Sequence, residues 1–107
     1  LFKVSQKGSK AVIAWGKVKG ADQYIVYGGY YGKKSKKLKT VNAGAPATVN
    51  ITKLNGKKIN LKKNYKFYVV AYKNINGKRV KLCKTMMAYI AGRKNTKYTK
   101  KKKCLSL

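Results

Sequence analysis

A chain of 107 residues has room for one domain, since a second core would have too little apolar surface to bury. Its 28 Lys and Arg face a single acidic residue, Asp22, and no His, so a formal net charge of +27 must sit beside anions such as nucleic acid, acidic polysaccharide or the phosphates of teichoic polymers and lipids. The same counts exclude paired-carboxylate hydrolysis and Ser/His/Asp or Cys/His nucleophilic chemistry, because neither a second carboxylate nor an imidazole is present to carry the proton.

The chain starts LFKVSQKGSK, which lacks the apolar centre of a signal peptide, and nowhere is there a run of about 18 apolar residues that could span a membrane. It is expected to be a segment of a longer protein. In KAVIAWGKV, Ala11, Ile13 and Trp15 fall on one face with period two, the signature of a half-buried strand. In DQYIVYGG, Tyr24 and Val26 point one way while Ile25 and Tyr27 point the other. The stretch GGYYGKKS superficially resembles a phosphate loop. Its second glycine arrives one position early for G-x-x-x-x-G-K-[ST], and Ser35 follows two lysines, so it reads as a lysine-rich surface loop.

KLKTV, around Leu38 to Val41, is a short charged strand whose lysines suit an exposed edge. ATVNIT follows the breakers Gly44 and Pro46, and Asn55-Gly56 marks a tight turn before the basic connection KKINLKKN. The longest strand is NYKFYVVAYKNI, with Tyr65, Phe67, Val69 and Ala71 on one face and Tyr68, Val70 and Tyr72 on the other. Asn76-Gly77 then signals a hairpin, because both turn positions tolerate positive φ, and its partner strand lies in KRVKLCKTMMAYIAG. Short strands at regular spacing, joined by Gly, Asn and Pro turns, indicate an all-β sandwich.

Cys83 and Cys104 have no CxxC spacing and no His beside them, so no metal site is expected; a disulfide and two unpaired thiols both stay open. No cofactor signature is present, and the chain is read as non-catalytic.

The order of these segments resembles a family. AVIAWGKVKGADQYIVY is similar to the second strand, turn and third strand, and NYKFYVVAYKNINGKRVKL to the late strand and hairpin, of the bacterial fibronectin type III-like modules in large cell-wall-associated and secreted proteins of gut Firmicutes. The resemblance implies an immunoglobulin-like sandwich of two antiparallel sheets with about seven strands over residues 1–92. It implies that 93–107 is a basic linker leading into the first strand of a following immunoglobulin-like repeat near Cys104. Trp15 then belongs to the core. Tyr65 resembles the tyrosine corner, whose hydroxyl bonds to upstream backbone. Asp22 becomes a turn residue accepting backbone N–H groups, with a lysine pair or a cation contact as the alternative.

The implied role is structural or adhesive, outside the bacterial cell, in contact with neighbouring domains of the parent chain and with anionic wall polymer or another polyanion. The isolated domain is expected to be monomeric. The alternative is a dedicated polyanion or nucleic-acid binding domain. Candidate binding residues are Tyr30 and Tyr31 with Lys33, Lys34, Lys36 and Lys37, and Tyr27 is placed in the same loop region, since interleaved aromatics and cations can meet rings and phosphates together. A second candidate is the tract Arg93 to Lys103, in which Arg93, Lys94, Lys97, Lys100, Lys101, Lys102 and Lys103 put seven cations in eleven residues.

Overall fold

The computed structural model describes residues 2–92 and the backbone of 104–106. In chain order the strands are β1 (Phe2–Lys7), β2 (Lys10–Trp15), β3 (Gln23–Tyr30), β4 (Lys36–Asn42), β5 (Thr48–Ile51), β6 (Lys53–Leu54), β7 (Lys57–Lys58), β8 (Tyr65–Ile75), β9 (Lys78–Lys84), β10 (Ala88–Ile90) and β11 (Cys104–Ser106). One sheet runs β1-β2-β5. The larger sheet runs β11-β10-β8-β3-β4, with β9 also paired to β8, and β6-β7 is a separate small hairpin. All pairings are antiparallel.

The two larger sheets share one core, a β-sandwich-like arrangement. All nine residues that the period-two faces turn inward are buried: Ala11, Ile13, Trp15, Tyr24, Val26, Tyr65, Phe67, Val69 and Ala71. Burying a side chain the size of Ile13 or Phe67 contributes about 1.5–3 kcal/mol, so this set is the main stabilising term that opposes the repulsion of the surface charge. Asn76 and Gly77 both take positive φ, 51° and 76°, as the β8–β9 hairpin requires, and Asn55 and Gly56 do the same between β6 and β7.

Three local features depart from the sequence reading. The opening segment is a strand, β1, although only Val4 in it is buried, which left it with no clear alternation. Gly28 and Gly29 lie inside β3, which continues to Tyr30, so only the later part of GGYYGKKS is a surface turn before β4. The edge beside β8 is interrupted. Its C-terminal half pairs with β9 and its N-terminal half with β10, and at the break Val69 donates its N–H to Thr85 Oγ1 at 2.9 Å while Thr85 N–H donates to Val69 O at 2.9 Å. A side-chain oxygen has taken over one ladder bond there.

Asp22 sits at the start of β3. Its carboxylate accepts the backbone N–H of Asn74 at 2.7 Å, its own N–H donates to Tyr72 O at 2.8 Å, and its carbonyl accepts Ala43 N–H at 3.0 Å. The lone acid therefore does accept a backbone N–H, but from β8, 52 residues away, and it ties β3 to β8 and to the end of β4.

Tyr65 corrects the tyrosine-corner assignment, because its hydroxyl donates to the side-chain Oε1 of Gln6 on β1 and not to upstream backbone. The tyrosine that closes on upstream backbone is Tyr24, whose hydroxyl accepts Val18 N–H at 2.8 Å. Tyr24→Phe is expected to cost about 1 kcal/mol by leaving Val18 N–H without its partner, and Tyr65→Phe less than that, because the half-exposed Gln6 amide can turn to water. Urea titration of both variants checks the order; equal or reversed costs would contradict it. Burial also pushes the Tyr65 phenol well up from its usual range. A raised pKa means its contribution is whole below about pH 10 and is lost as pH climbs toward the folded value, so Tyr65→Phe should blunt the alkaline fall in stability.

Candidate polyanion interface

The end of the molecule where β3 finishes and β8 begins carries a groove of about 710 Å³. Its formation is local in origin. Gly32 takes φ 82° to turn the chain back toward β4, and Lys33 N–H donates to Tyr30 O at 3.0 Å within that turn. On the opposite wall Asn60 Oδ1 accepts Lys62 N–H at 3.0 Å and Asn60 O accepts Lys63 N–H at 3.0 Å, a side-chain-closed turn. The walls are joined directly: Asn60 N–H donates to the Tyr30 hydroxyl at 2.8 Å and Tyr31 N–H donates to Asn64 O at 3.0 Å.

Tyr30, Tyr31, Lys33, Lys34 and Lys36, all taken from sequence as binding candidates, line this groove together. Lys37 does not line it, because it pairs opposite Tyr27 further along β4. Asn55, Lys62, Lys63 and Asn64 complete the lining, and none of them is a binding candidate by sequence, where Asn55 reads as a tight turn and 57–64 as a basic connection. Only the fold brings them some 30 residues back to Tyr30; the one usable signal was the Asn60-x-Lys62 turn pattern. The candidates Arg93, Lys94, Lys97, Lys100, Lys101, Lys102 and Lys103 lie outside the described residues.

Five lysines thus line one groove. Lys63 Nζ lies 5.3 Å from the centroid of the Tyr30 ring, a contact that favours its position by about 0.5–1 kcal/mol. Tyr31 is 62% exposed, with its ring edge-on to Tyr89 at 5.7 Å. Asp22, the chain's single acid, stands at the other end of β3, eight residues from Tyr30 and so roughly 25 Å away. That exceeds the screening length of about 8 Å at physiological salt, so no acidic side chain offsets the groove. Such a surface can hold phosphate, sulfate or carboxylate groups, with Asn amides and an exposed ring alongside.

Tyr27 is corrected in position: it belongs to the outer face of the larger sheet and not to the groove. Its ring stacks on Tyr68 with centroids 5.0 Å apart and planes 13° from parallel, and its hydroxyl meets that of Tyr72 at 3.1 Å. The Tyr72 hydrogen bond, followed by partial burial, pushes the Tyr27 phenol up to about 12, so it remains protonated through the physiological range.

Cys83 is a free, exposed thiol. It pairs opposite Ala71 on β8, whereas Cys104 lies beside Ile90, which pairs opposite Tyr65. Six residues of strand, roughly 20 Å, separate those positions, well beyond the Cα separation of about 7 Å that a disulfide permits.

Among the described residues no helix is long and apolar enough to cross a membrane. Set against known proteins, the chain matches no protein-family model and no curated relative.

Proposed function

We propose that this chain is a non-catalytic structural or adhesive module of a larger bacterial surface or secreted protein, and that it associates with anionic wall polymers or other polyanions. The observation that carries the reading is the groove in which five lysines and two tyrosines meet with no acidic side chain nearby. A fibronectin type III-like sandwich is supported by the strand arrangement: counting β9 and β10 as one interrupted edge strand, and setting aside β6, β7 and β11, leaves seven principal strands in two facing antiparallel sheets. Lysine-bearing edges at β4 and β9 favour a monomer, since two such edges repel.

The test compares two triple variants of equal charge. Lys33→Gln/Lys34→Gln/Lys62→Gln removes groove cations, while Lys3→Gln/Lys7→Gln/Lys10→Gln removes the same charge from the three-stranded sheet. Binding of heparin at physiological salt should weaken at least about tenfold more in the groove variant. Equal losses would mean that net charge alone attracts the polymer and that the groove is not a site.

A further inference from the structure

The outer face of the β10-β8-β3-β4 sheet is unusual in being tyrosine-rich and cationic at once. Tyr27 and Tyr68 stack face to face there, Lys84 Nζ lies 4.6 Å from the Tyr68 centroid, and Arg79 Cζ lies 5.4 Å from that of Tyr72. Beneath the rings, Ile25 and Val70 pair directly across β3 and β8 and are 0% and 3% exposed, although they stand apart from the main core. The rings therefore roof a small apolar floor of their own. Their contacts hold the cations in place, which lowers the ordering cost that a mobile lysine or arginine would bring to binding.

The register makes these cations a row. Lys84 pairs opposite Val70 and Arg79 opposite Asn74, while Lys66 lies on the same face of β8. Positions 66, 70 and 74 are evenly spaced, so Lys66, Lys84 and Arg79 stand roughly 13 Å apart over roughly 26 Å, with Lys81, opposite Tyr72, between Lys84 and Arg79. At the Lys66 end the row reaches Tyr89, which pairs opposite Lys66, and through its ring contact Tyr31, a groove residue.

We propose that this row is a second anion track, continuous with the groove, and that it takes a ring-free phosphate chain of the polyphosphate or poly(alditol phosphate) type. The proposal rests on the polyanion reading of the groove. The choice of ligand follows from what the face presents outward. The ring faces of Tyr27 and Tyr68 are turned to each other, and cations lie over Tyr68 and Tyr72, so ring stacking has little free π surface along the row. What remains is ammonium, guanidinium and phenol hydroxyl, all hydrogen-bond donors suited to phosphate oxygens. Nucleic acid draws much of its single-strand affinity from base stacking, which this face does not offer.

Three probes separate the outcomes: long-chain inorganic polyphosphate, tripolyphosphate, and oligothymidylate matched in charge to the long chain. Arg79→Gln/Lys84→Gln is expected to weaken long-chain polyphosphate about tenfold more than the equally charged control Lys3→Gln/Lys10→Gln. Tripolyphosphate, too short to reach from groove to track, should bind both variants alike, which also shows that the variants are folded. Equal losses of long-chain binding in the two variants would overturn the track while leaving the groove intact. Absence of any polyphosphate binding by the parent protein would instead overturn the polyanion reading itself. Oligothymidylate binding at least about tenfold tighter than polyphosphate would show that bases find stacking surface and would overturn the ring-free ligand.

Discussion

Affinity for a polyanion is expected to fall about five-hundredfold when salt rises from about 50 to 200 mM. Each phosphate neutralised by a lysine releases condensed counterion and contributes about −0.9 to the slope of log affinity against log salt for duplex DNA. The five groove lysines alone give a slope of about −4.5, which over a fourfold change in salt amounts to nearly three decades. Engagement of the outer-face row would steepen it further. DNA, heparin and teichoic acid should show similar slopes at comparable charge density, because lysine acts as a mobile point charge and lacks the planar fork with which arginine reads a base edge. Only Arg79 and Arg93 interrupt the lysines, so contacts of this kind position a polymer without identifying it. Marked preference for one nucleic-acid sequence at physiological salt would overturn the surface-module reading in favour of a dedicated nucleic-acid binder.

Gly28→Ala should cost about 3 kcal/mol or more and lower the urea midpoint accordingly. A methyl group at position 28 would stand 2.5 Å from Phe67 Cδ1, 2.7 Å from the backbone oxygen of Lys66 and 2.9 Å from Leu38 Cδ1. Phe67 is fully buried and the Lys66 carbonyl belongs to the strand beside it, so neither can move aside without opening the β3–β8 pairing. Gly29→Ala is the internal comparison. Its methyl would stand 3.1 Å from the Lys34 carbonyl oxygen, with its other neighbours, Ser35 Cα and the Lys34 carbonyl carbon, at ordinary contact distances of 3.7 and 3.8 Å, and a cost well below that of Gly28→Ala is expected. A Gly28→Ala protein within about 1 kcal/mol of the parent would show that the β3–β8 spacing yields more easily than a packed sheet should.

The contrast between Gly28 and Trp15 shows what local sequence carries. Trp15, Ile13 and Ala11 announce a buried face because a strand repeats every two residues, and that period is visible in six letters. Asn76-Gly77 announces a hairpin for a similarly local reason, the tolerance of positive φ. Gly28 belongs to the same kind of segment, yet its requirement comes from the Phe67 ring 39 residues later, and nothing near it in sequence records that ring. The site divides along the same line. Tyr30, Tyr31 and their lysines cluster within seven residues and were legible, whereas Lys62, Lys63 and Asn64 reach the groove through the Tyr30 hydroxyl bond and the β3–β8 register. Tyr27 was misplaced because alternation separates it from Tyr30 onto the opposite face, and sequence proximity outweighed that parity. The backbone-bonding hydroxyl belongs to Tyr24 and not to Tyr65 because which hydroxyl finds backbone depends on the path of the chain between β2 and β3, not on residue type.

The pairing of Phe2 with Trp15, and of Ile90 with Tyr65, has a mechanical consequence. Trp15 packs on Tyr24 at one end of the larger sheet, whereas Tyr65 pairs with Tyr30 at the other, so Phe2 and Ala91 mark opposite ends of the strands. Tension applied between those residues runs parallel to β1 and β10, while the hydrogen bonds that hold them to β2 and β8 lie across that direction. The ladders are therefore loaded in shear, with several bonds sharing the force, and not peeled open one bond at a time. The groove sits at the Gly92 end of this strut, where Gly92 N–H donates to Asn64 Oδ1 at 3.2 Å, so a polymer held there would be gripped beside the strand end that bears the pull.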